Sequence, residues 1–362
     1  MNQQSSPGKW MLLKKFLTNP DRKPLWKIIM ECLYLTILYR TLPRHYFGRL
    51  LFKKEITNIK DFIPNPMIIK LTSFFNEREV IEVQENKHFF DLYYGQLGLR
   101  LPKILMYNYR NIFVIDNKPI RVNSSNDFFD VLKNLFISKE LNSIFIKGTY
   151  WTYSGNNIYK IFAHQFMNER HKIDALYAAV IKTGYLFQET IQQHQEMDRL
   201  NPSCINSIRM DTFIDCDGNI EIMSGYLRFS IRNSHVDNIS QGGCMVYIDL
   251  ESGRLRSEGH VGFRKGAGEV IKSHPVTHVV FENFEIPFFD QAKKMIIQAA
   301  SVMPGIRLVG WDVGITESGP ILIEANPDYS MEGNDMAAGG LLSKPVFRKV
   351  WNEYHQKKNT KG

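Results

Sequence analysis

The stretch Val309-Gly310-Trp311-Asp312-Val313-Gly314-Ile315-Thr316-Glu317-Ser318-Gly319-Pro320-Ile321-Leu322-Ile323-Glu324-Ala325-Asn326-Pro327 decides how this chain is read. Residues 309–316 are mostly apolar and β-branched, Glu317-Ser318-Gly319 has turn chemistry, and Ile321-Leu322-Ile323 resumes a buried strand. The pattern predicts a hairpin. Its first arm carries Asp312 and its second carries Glu324 and Asn326. Side chains two apart on a strand share a face, so Glu324 and Asn326 point the same way, and pairing brings Asp312 beside them. Three hard oxygen donors on one sheet face suit Mg²⁺. The alternative is a hairpin whose acids face solvent. Acids flanked by apolar runs are costly to bury unpaired, which favours the metal.

Upstream of this hairpin, residues 290–303 read as a helix with Asp290 as its N-cap. Earlier still, residues 204–214 alternate as a strand, turn at Asp217-Gly218-Asn219, and run back over 220–229. Arg209 and Arg228 lie on the two arms, and the pair reads either as a clamp on phosphate or carboxylate or as two surface arginines. Between that hairpin and the helix, residues 235–243 form a polar, then glycine-rich loop before a strand at 244–250.

The middle of the chain holds a second informative stretch. Residues 143–147 are a strand ending in Lys147, followed by the loop Gly148-Thr149-Tyr150-Trp151-Thr152-Tyr153-Ser154-Gly155 and another strand. Such a loop offers backbone N–H groups to phosphate while the lysine supplies a point charge, although a Gly/Ser hairpin beside one lysine is also common in plain scaffolds. Residues 170–182 read as a helix, and Gly184 to Ile191 as a buried strand stopping at Gln188-Glu189. Residues 126–136 are helical by the spacing of Phe128, Phe129, Leu132, Leu135 and Phe136, and Asp116-Asn117-Lys118 marks a hairpin turn. Met67-Ile68-Ile69-Lys70-Leu71 reads as a short strand, and a helical pattern opens at Asn86-Lys87.

Charge sets the N-terminal region apart. Residues 1–60 carry twelve Lys and Arg against three acids, a local +9, so the remainder of a chain of net charge +8 is near −1. The basic character belongs to an arm and not to the body, which argues against a nucleic-acid-binding core. Within the arm, residues 25–40 are apolar but interrupted by Lys27 and Glu31, too short and too charged for a transmembrane span. No small-residue cleavage site marks a signal peptide. Two readings fit: a helix on an anionic membrane surface, giving peripheral contact through residues 1–45, or an amphipathic helix docked on the body. Cys32, Cys204, Cys216 and Cys244 are scattered without C-x-x-C spacing, which excludes a zinc or disulfide framework and fits a reducing cytoplasm.

Taken in order, these pieces resemble the ATP-grasp superfamily, and most closely its sugar-transfer-associated group, related to glutamate-ligase-like proteins. The resemblance covers residues 80–345. It is carried by Phe187-Gln188-Glu189, by Asn201-Pro202-Ser203 running on to Asn206-Ser207-Ile208-Arg209, by Leu227-Arg228, by Val236-Asp237-Asn238 with Gly242-Gly243, by His274-Pro275-Val276-Thr277, and by Gly310-Trp311-Asp312 with Gly319-Pro320 and Glu324-Ala325-Asn326.

The resemblance implies an α+β fold of two lobes gripping ATP, with a small N-terminal α/β domain and a basic helical arm in front. The segments expected are an arm over 1–60, a pre-ATP-grasp region over 61–110, a first lobe over 111–183 and a second lobe with the metal site over 184–350. It implies that Lys147, and Lys87 as a second lysine, contact the nucleotide. Gln188 and Glu189 would read adenine from the hinge strand. Asp312, Glu324 and Asn326 would hold Mg²⁺, and Arg209 and Arg228 would contact phosphate or an acyl phosphate. The implied reaction is ATP-dependent carboxylate–amine ligation, on a small molecule or a glycan precursor. His235 and Asp237 either assist proton removal from the amine or serve the loop. Two other functions fit the same pattern: direct phosphotransfer, and a nucleotide-binding scaffold in a glycan-assembly complex. The aromatic glycine loop (Tyr150, Trp151, Tyr153) departs from the usual pattern and implies a different grip on the nucleotide.

Overall fold

Residues 16–150, 157–166, 168–231, 243–261 and 269–359 are described by the computed structural model of the chain. They fall into two units. The smaller comprises residues 82–192 and 321–324, and the larger takes the rest of the described chain.

In the smaller unit, β1 (Ile104–Tyr109), β2 (Ile112–Ile115), β3 (Lys118–Arg121), β4 (Ser143–Gly148), β5 (Ile158–Phe162) and β6 (Gly184–Glu189) form an antiparallel sheet in the order β3-β2-β1-β6-β4-β5. The turn expected at Asp116-Asn117 forms. Both residues take positive φ, 45° and 61°, the geometry a two-residue hairpin needs to match strand twist. The helix Ser125–Ser138 begins with a capping box between Ser124 and Asp127. Its Phe128, Leu132, Leu135 and Phe136 bury against Ile173, Leu176 and Val180 of the helix Arg170–Val180 and against Phe113, Ile144, Ile146 and Phe187 of the sheet. Each such side chain contributes roughly 1.5–3 kcal/mol by leaving water, which fixes the sheet that carries Lys147, Gln188 and Glu189. The helix Lys87–Gln96 starts where Asn86 accepts the N–H groups of His88 and Phe89.

A second sheet is built of β7 (Ser207–Ile214), β8 (Ile220–Ser230), β9 (Gly243–Ile248), β10 (Leu255–Val261), β11 (Val270–Ile271), β12 (Leu308–Thr316) and β13 (Gly319–Asn326), in the order β11-β10-β9-β8-β7-β12-β13, and belongs to the larger unit except for Ile321–Glu324 of β13. Every residue of β7 and β12 is buried. A strand covered on both faces reads as a continuous apolar run, which is how residues 309–316 announce themselves. The helix Phe289–Ser301 packs on β7, β8 and β12 through Ala292, Ile296, Ala299 and Ala300. Asp290 is not its cap. Phe288 holds the N-cap position in a left-handed conformation, and Asp290 sits in the first turn, paired with Lys293 at 2.8 Å.

The strand expected at 67–71 is instead part of the helix Asn65–Phe75. Ile68, Leu71, Thr72 and Phe75 recur at three and four residues and make one buried face, and Pro66 pre-sets the first turn. That face meets Phe213 and the helix Pro345–Asn359, which buries Phe347, Val350 and Tyr354. Ahead of it, the helix Leu25–Tyr39 docks through Ile28 and Leu35 onto Tyr46, Leu50, Leu51, Phe52, Ile59 and Phe62.

Candidate active site

In the larger unit, strand register assembles an ion cluster from residues far apart in sequence. Asp312 lies opposite Arg209, and Ser207 lies opposite Arg228. Arg209 Nε donates to Asp312 Oδ1 at 2.5 Å and its Nη2 to Oδ2 at 3.0 Å, while Arg228 Nη2 stands 2.9 Å from Oδ2. Arg228 also donates to the Ser207 hydroxyl at 2.7 and 3.1 Å. Burial works against the charge of Arg209, but the Asp312 carboxylate more than offsets this and holds the guanidinium well above its usual range. Two guanidiniums meet at this carboxylate in a water-poor place. Guanidiniums so placed suit an oxyanion that can accept two parallel N–H bonds, such as phosphate or carboxylate.

Two residues along β7 from Arg209 lies Asp211, which the sequence reading passed over. Ser224 donates its hydroxyl to Asp211 Oδ2 at 2.7 Å, and Asn334 donates to the same oxygen and to Ser224 Oγ. Burial pushes the Asp211 carboxyl up to about 7. The Tyr329 hydroxyl faces the Asp211 carboxyl and, with Ser224 and the charge of Arg209, opposes the effect of burial. The Arg209 guanidinium lies 5.6 Å over the Tyr329 ring. Gly310, opposite Asp211, makes this approach possible. A Cβ there would sit 3.1 Å from the Tyr329 ring and 3.2 Å from Arg209 Cδ. The signal available in the sequence was the Arg209-x-Asp211 spacing, which places both on one strand face.

Several residues of the quoted motifs turn out to be scaffolding. Asn206 Nδ2 donates to the Met197 and Asn201 carbonyls at 2.6 and 2.9 Å, fixing the loop that feeds β7. His274 Nδ1 accepts the N–H groups of Val276 and Thr277, which leaves Nε2 to donate to the Ser230 carbonyl at 2.9 Å. His235, Asp237, Trp151 and Tyr153 lie outside the described residues.

In the smaller unit, Lys147 is buried one residue before the end of β4. The Lys87 N–H donates to the Thr149 carbonyl at 2.9 Å, which ties the start of its helix to the loop after Lys147. Burial pushes the Asp91 carboxyl up, and the charge of Lys147 partly opposes this. Lys87 Nζ is 3.4 Å from Glu324 Oε2. This region therefore gathers Lys87, Lys147, Asp91 and Glu324, with both signs represented. Gln188 is buried and donates to the Pro102 carbonyl at 3.2 Å, and Glu189 accepts the Lys103 N–H at 3.1 Å.

The expected metal donors differ from one another in their surroundings. Glu324 and Asn326 stand two apart on β13, both half-buried, and offer a carboxylate and an amide, hard donors that fit Mg²⁺. Asn326 Nδ2 donates to the Gly310 carbonyl at 3.4 Å. The Asp312 oxygens are already engaged by two guanidiniums, so Asp312 fits a cation only where a bound phosphate takes up an arginine. Among the described residues, no three His, Cys, Asp or Glu side chains gather as a ready metal cage.

An antiparallel sheet with Lys147 near the end of one strand, together with a second sheet ending in an acid–x–Asn strand, is the setting in which the family match is read. The chain belongs to the sugar-transfer associated ATP-grasp family, whose model matches residues 67–350. No curated protein matches the sequence. Among solved structures, D-alanyl-alanine synthetase A from Vibrio cholerae O1 biovar eltor str. N16961 is similar at 14% identity, with 76% of this chain and 67% of that chain covered and a TM-score of 0.45. The D-cycloserine synthetase DcsG is similar at 11% identity, covering 77% and 73% with a TM-score of 0.45. The ATP-grasp ligase PsnB, solved with minimal precursor, Mg and ADP, is similar at 14% identity and a TM-score of 0.40; the match covers 76% of this chain and 62% of PsnB.

Proposed function

We propose that this chain is an ATP-dependent ligase that joins a carboxylate to an amine through an acyl phosphate, in the cytoplasm, on a small sugar or glycan precursor. The observation that carries the reading is the Arg209–Asp312–Arg228 cluster. It is a pair of guanidiniums pre-oriented by a buried carboxylate, suited to a transferring phosphoryl group. The family's description supports the sugar part. That none of the four cysteines forms a disulfide is in keeping with the compartment.

In this reading Lys147 and Lys87 contact the nucleotide phosphates, and the strand carrying Gln188 and Glu189 borders adenine. Asp312, Glu324 and Asn326 are the proposed oxygen donors for Mg²⁺. When bound, the ion supplies charge neutralisation at the β- and γ-phosphate oxygens. An oxygen of the substrate carboxylate attacks the γ-phosphorus, and the bond to ADP breaks. The amine nitrogen then attacks the acyl carbon, inorganic phosphate leaves, and the amine loses a proton. Arg209 and Arg228 hold the phosphoryl oxygens through both steps, and no protein nucleophile is required.

The test is ADP release against a panel of acid and amine pairs, with the γ-phosphate followed by radiolabel. Free phosphate appearing only when both acid and amine are present supports the ligase. Label retained in a stable phosphorylated product would replace it with a phosphotransferase. Glu324→Gln is expected to lower turnover by about a hundredfold or more, in the range for lost transition-state charge stabilisation.

A further inference from the structure

The helix Leu25–Tyr39 is apolar on both sides. Its inner stripe is buried, and Glu31 is drawn inward by Lys23 at 2.9 Å and by the Tyr46 hydroxyl at 2.5 Å. Its outer side presents Trp26, Ile29, Met30, Leu33, Tyr34 and Ile37, each between 48% and 77% exposed. These positions recur at three and four residues and make one continuous face. The open side of a docked helix is ordinarily polar, and monomeric proteins rarely expose apolar patches beyond a few hundred Å².

We infer that this outer face seats itself in the interfacial layer of an anionic lipid bilayer. Charge complementarity selects lipid over other occupants. Lys27, Arg40, Arg44, Lys54 and Lys60 are exposed within residues 16–60, where only Asp21 and Glu55 are exposed acids. The whole segment 1–60 carries a net +9, which attracts anionic headgroups and sets a second copy of the same face against itself. Trp26 and Tyr34 are the side chains favoured at the water–hydrocarbon boundary. Length decides between lying and crossing. Fifteen helical residues span about 22 Å, short of the roughly 30 Å hydrocarbon core. No helix among the described residues is long and apolar enough to cross a membrane. The basic rim and apolar face of a docked, non-spanning helix are the features of interfacial binding. This inference stands apart from the ligase reading, because lipid partition requires no turnover.

The experiment is co-sedimentation of the full chain with vesicles of mixed phosphatidylglycerol and phosphatidylcholine and with vesicles of phosphatidylcholine alone. Binding to the anionic vesicles, weakened by salt, is expected. The doubly substituted Ile29→Glu/Ile37→Glu chain is expected to partition about tenfold or more weakly, with unchanged circular dichroism and melting temperature. Absence of binding by the native chain, equal binding to both vesicle types, or unaltered partition of the folded double variant would overturn the inference. So would a dimer, formed without lipid, that the double variant splits. Should the variant misfold, the emission of the native chain minus that of Trp26→Phe isolates Trp26. A blue shift with quenching by brominated lipid supports insertion, and an unmoved spectrum overturns it.

Discussion

Asp312 on β12 and Glu324 on β13 bring the same functional group to adjacent strands of one sheet, and their surroundings differ sharply. The Asp312 side chain is 3% exposed and held by two guanidiniums, whereas that of Glu324 is 27% exposed, with Lys87 at 3.4 Å. The first carboxylate organises its neighbours and is part of what holds β7, β8 and β12 in place. The second sits where solvent and ligands reach it. Asp211 is intermediate in kind, being fully buried but held by neutral donors from Ser224 and Asn334. Burial and the charge of the partner, more than residue type, separate these acids.

The largest test of this contrast is Asp312→Asn. It leaves Arg209 and Arg228 buried around a neutral group, and loss of one partner of a buried pair costs about 3–5 kcal/mol. Urea unfolding should show that loss. A change below about 1 kcal/mol would mean the cluster is hydrated enough to be dispensable for folding.

Asp211 offers a pH test of intermediate size. Its folded-state carboxyl titrates at about 7, against about 3.9 in an unfolded chain. Between those values the folded chain keeps a proton that the unfolded chain has lost. The stability this group contributes is therefore full below about pH 4, falls as pH rises to about 7, and is level above that. Asp211→Asn removes the effect, so the variant should gain on the native chain across that window, by a few kcal/mol at most. Parallel stability curves from pH 4 to 8 would show that burial does not hold the Asp211 proton.

The smallest effect is expected for Glu324→Gln. Its pair with Lys87 is long and partly exposed, worth about 0–1 kcal/mol, so the melting temperature should barely move while turnover collapses. A large destabilisation would erase the distinction between the two acids.

Much of this was legible in advance. Turn chemistry at Asp116-Asn117 and Asp217-Gly218-Asn219 marked two hairpins correctly, because positive φ and tight turns restrict residue choice locally. Residues 67–71 read as a strand because a short apolar run does not separate strand from helix until its neighbours, here Thr72 and Phe75, complete the spacing. The N-terminal helix illustrates a different limit. Its apolar content was plain, but it is apolar all round, so periodicity said little about which side would dock.

The sequence by itself determined the α+β alternation, the hairpins, and the strand faces that carry Arg209, Arg228, Asp312, Glu324 and Asn326. These follow from turn residues and two-residue periodicity, which act over a few neighbouring positions. Tertiary structure alone decided that Asp312 pairs with an arginine 103 residues away, that Asp211 is buried beside it, and that Trp26 faces outward while Ile28 faces in. Those outcomes depend on strand register and on which apolar surfaces meet, and both are set by contacts between distant segments of the chain.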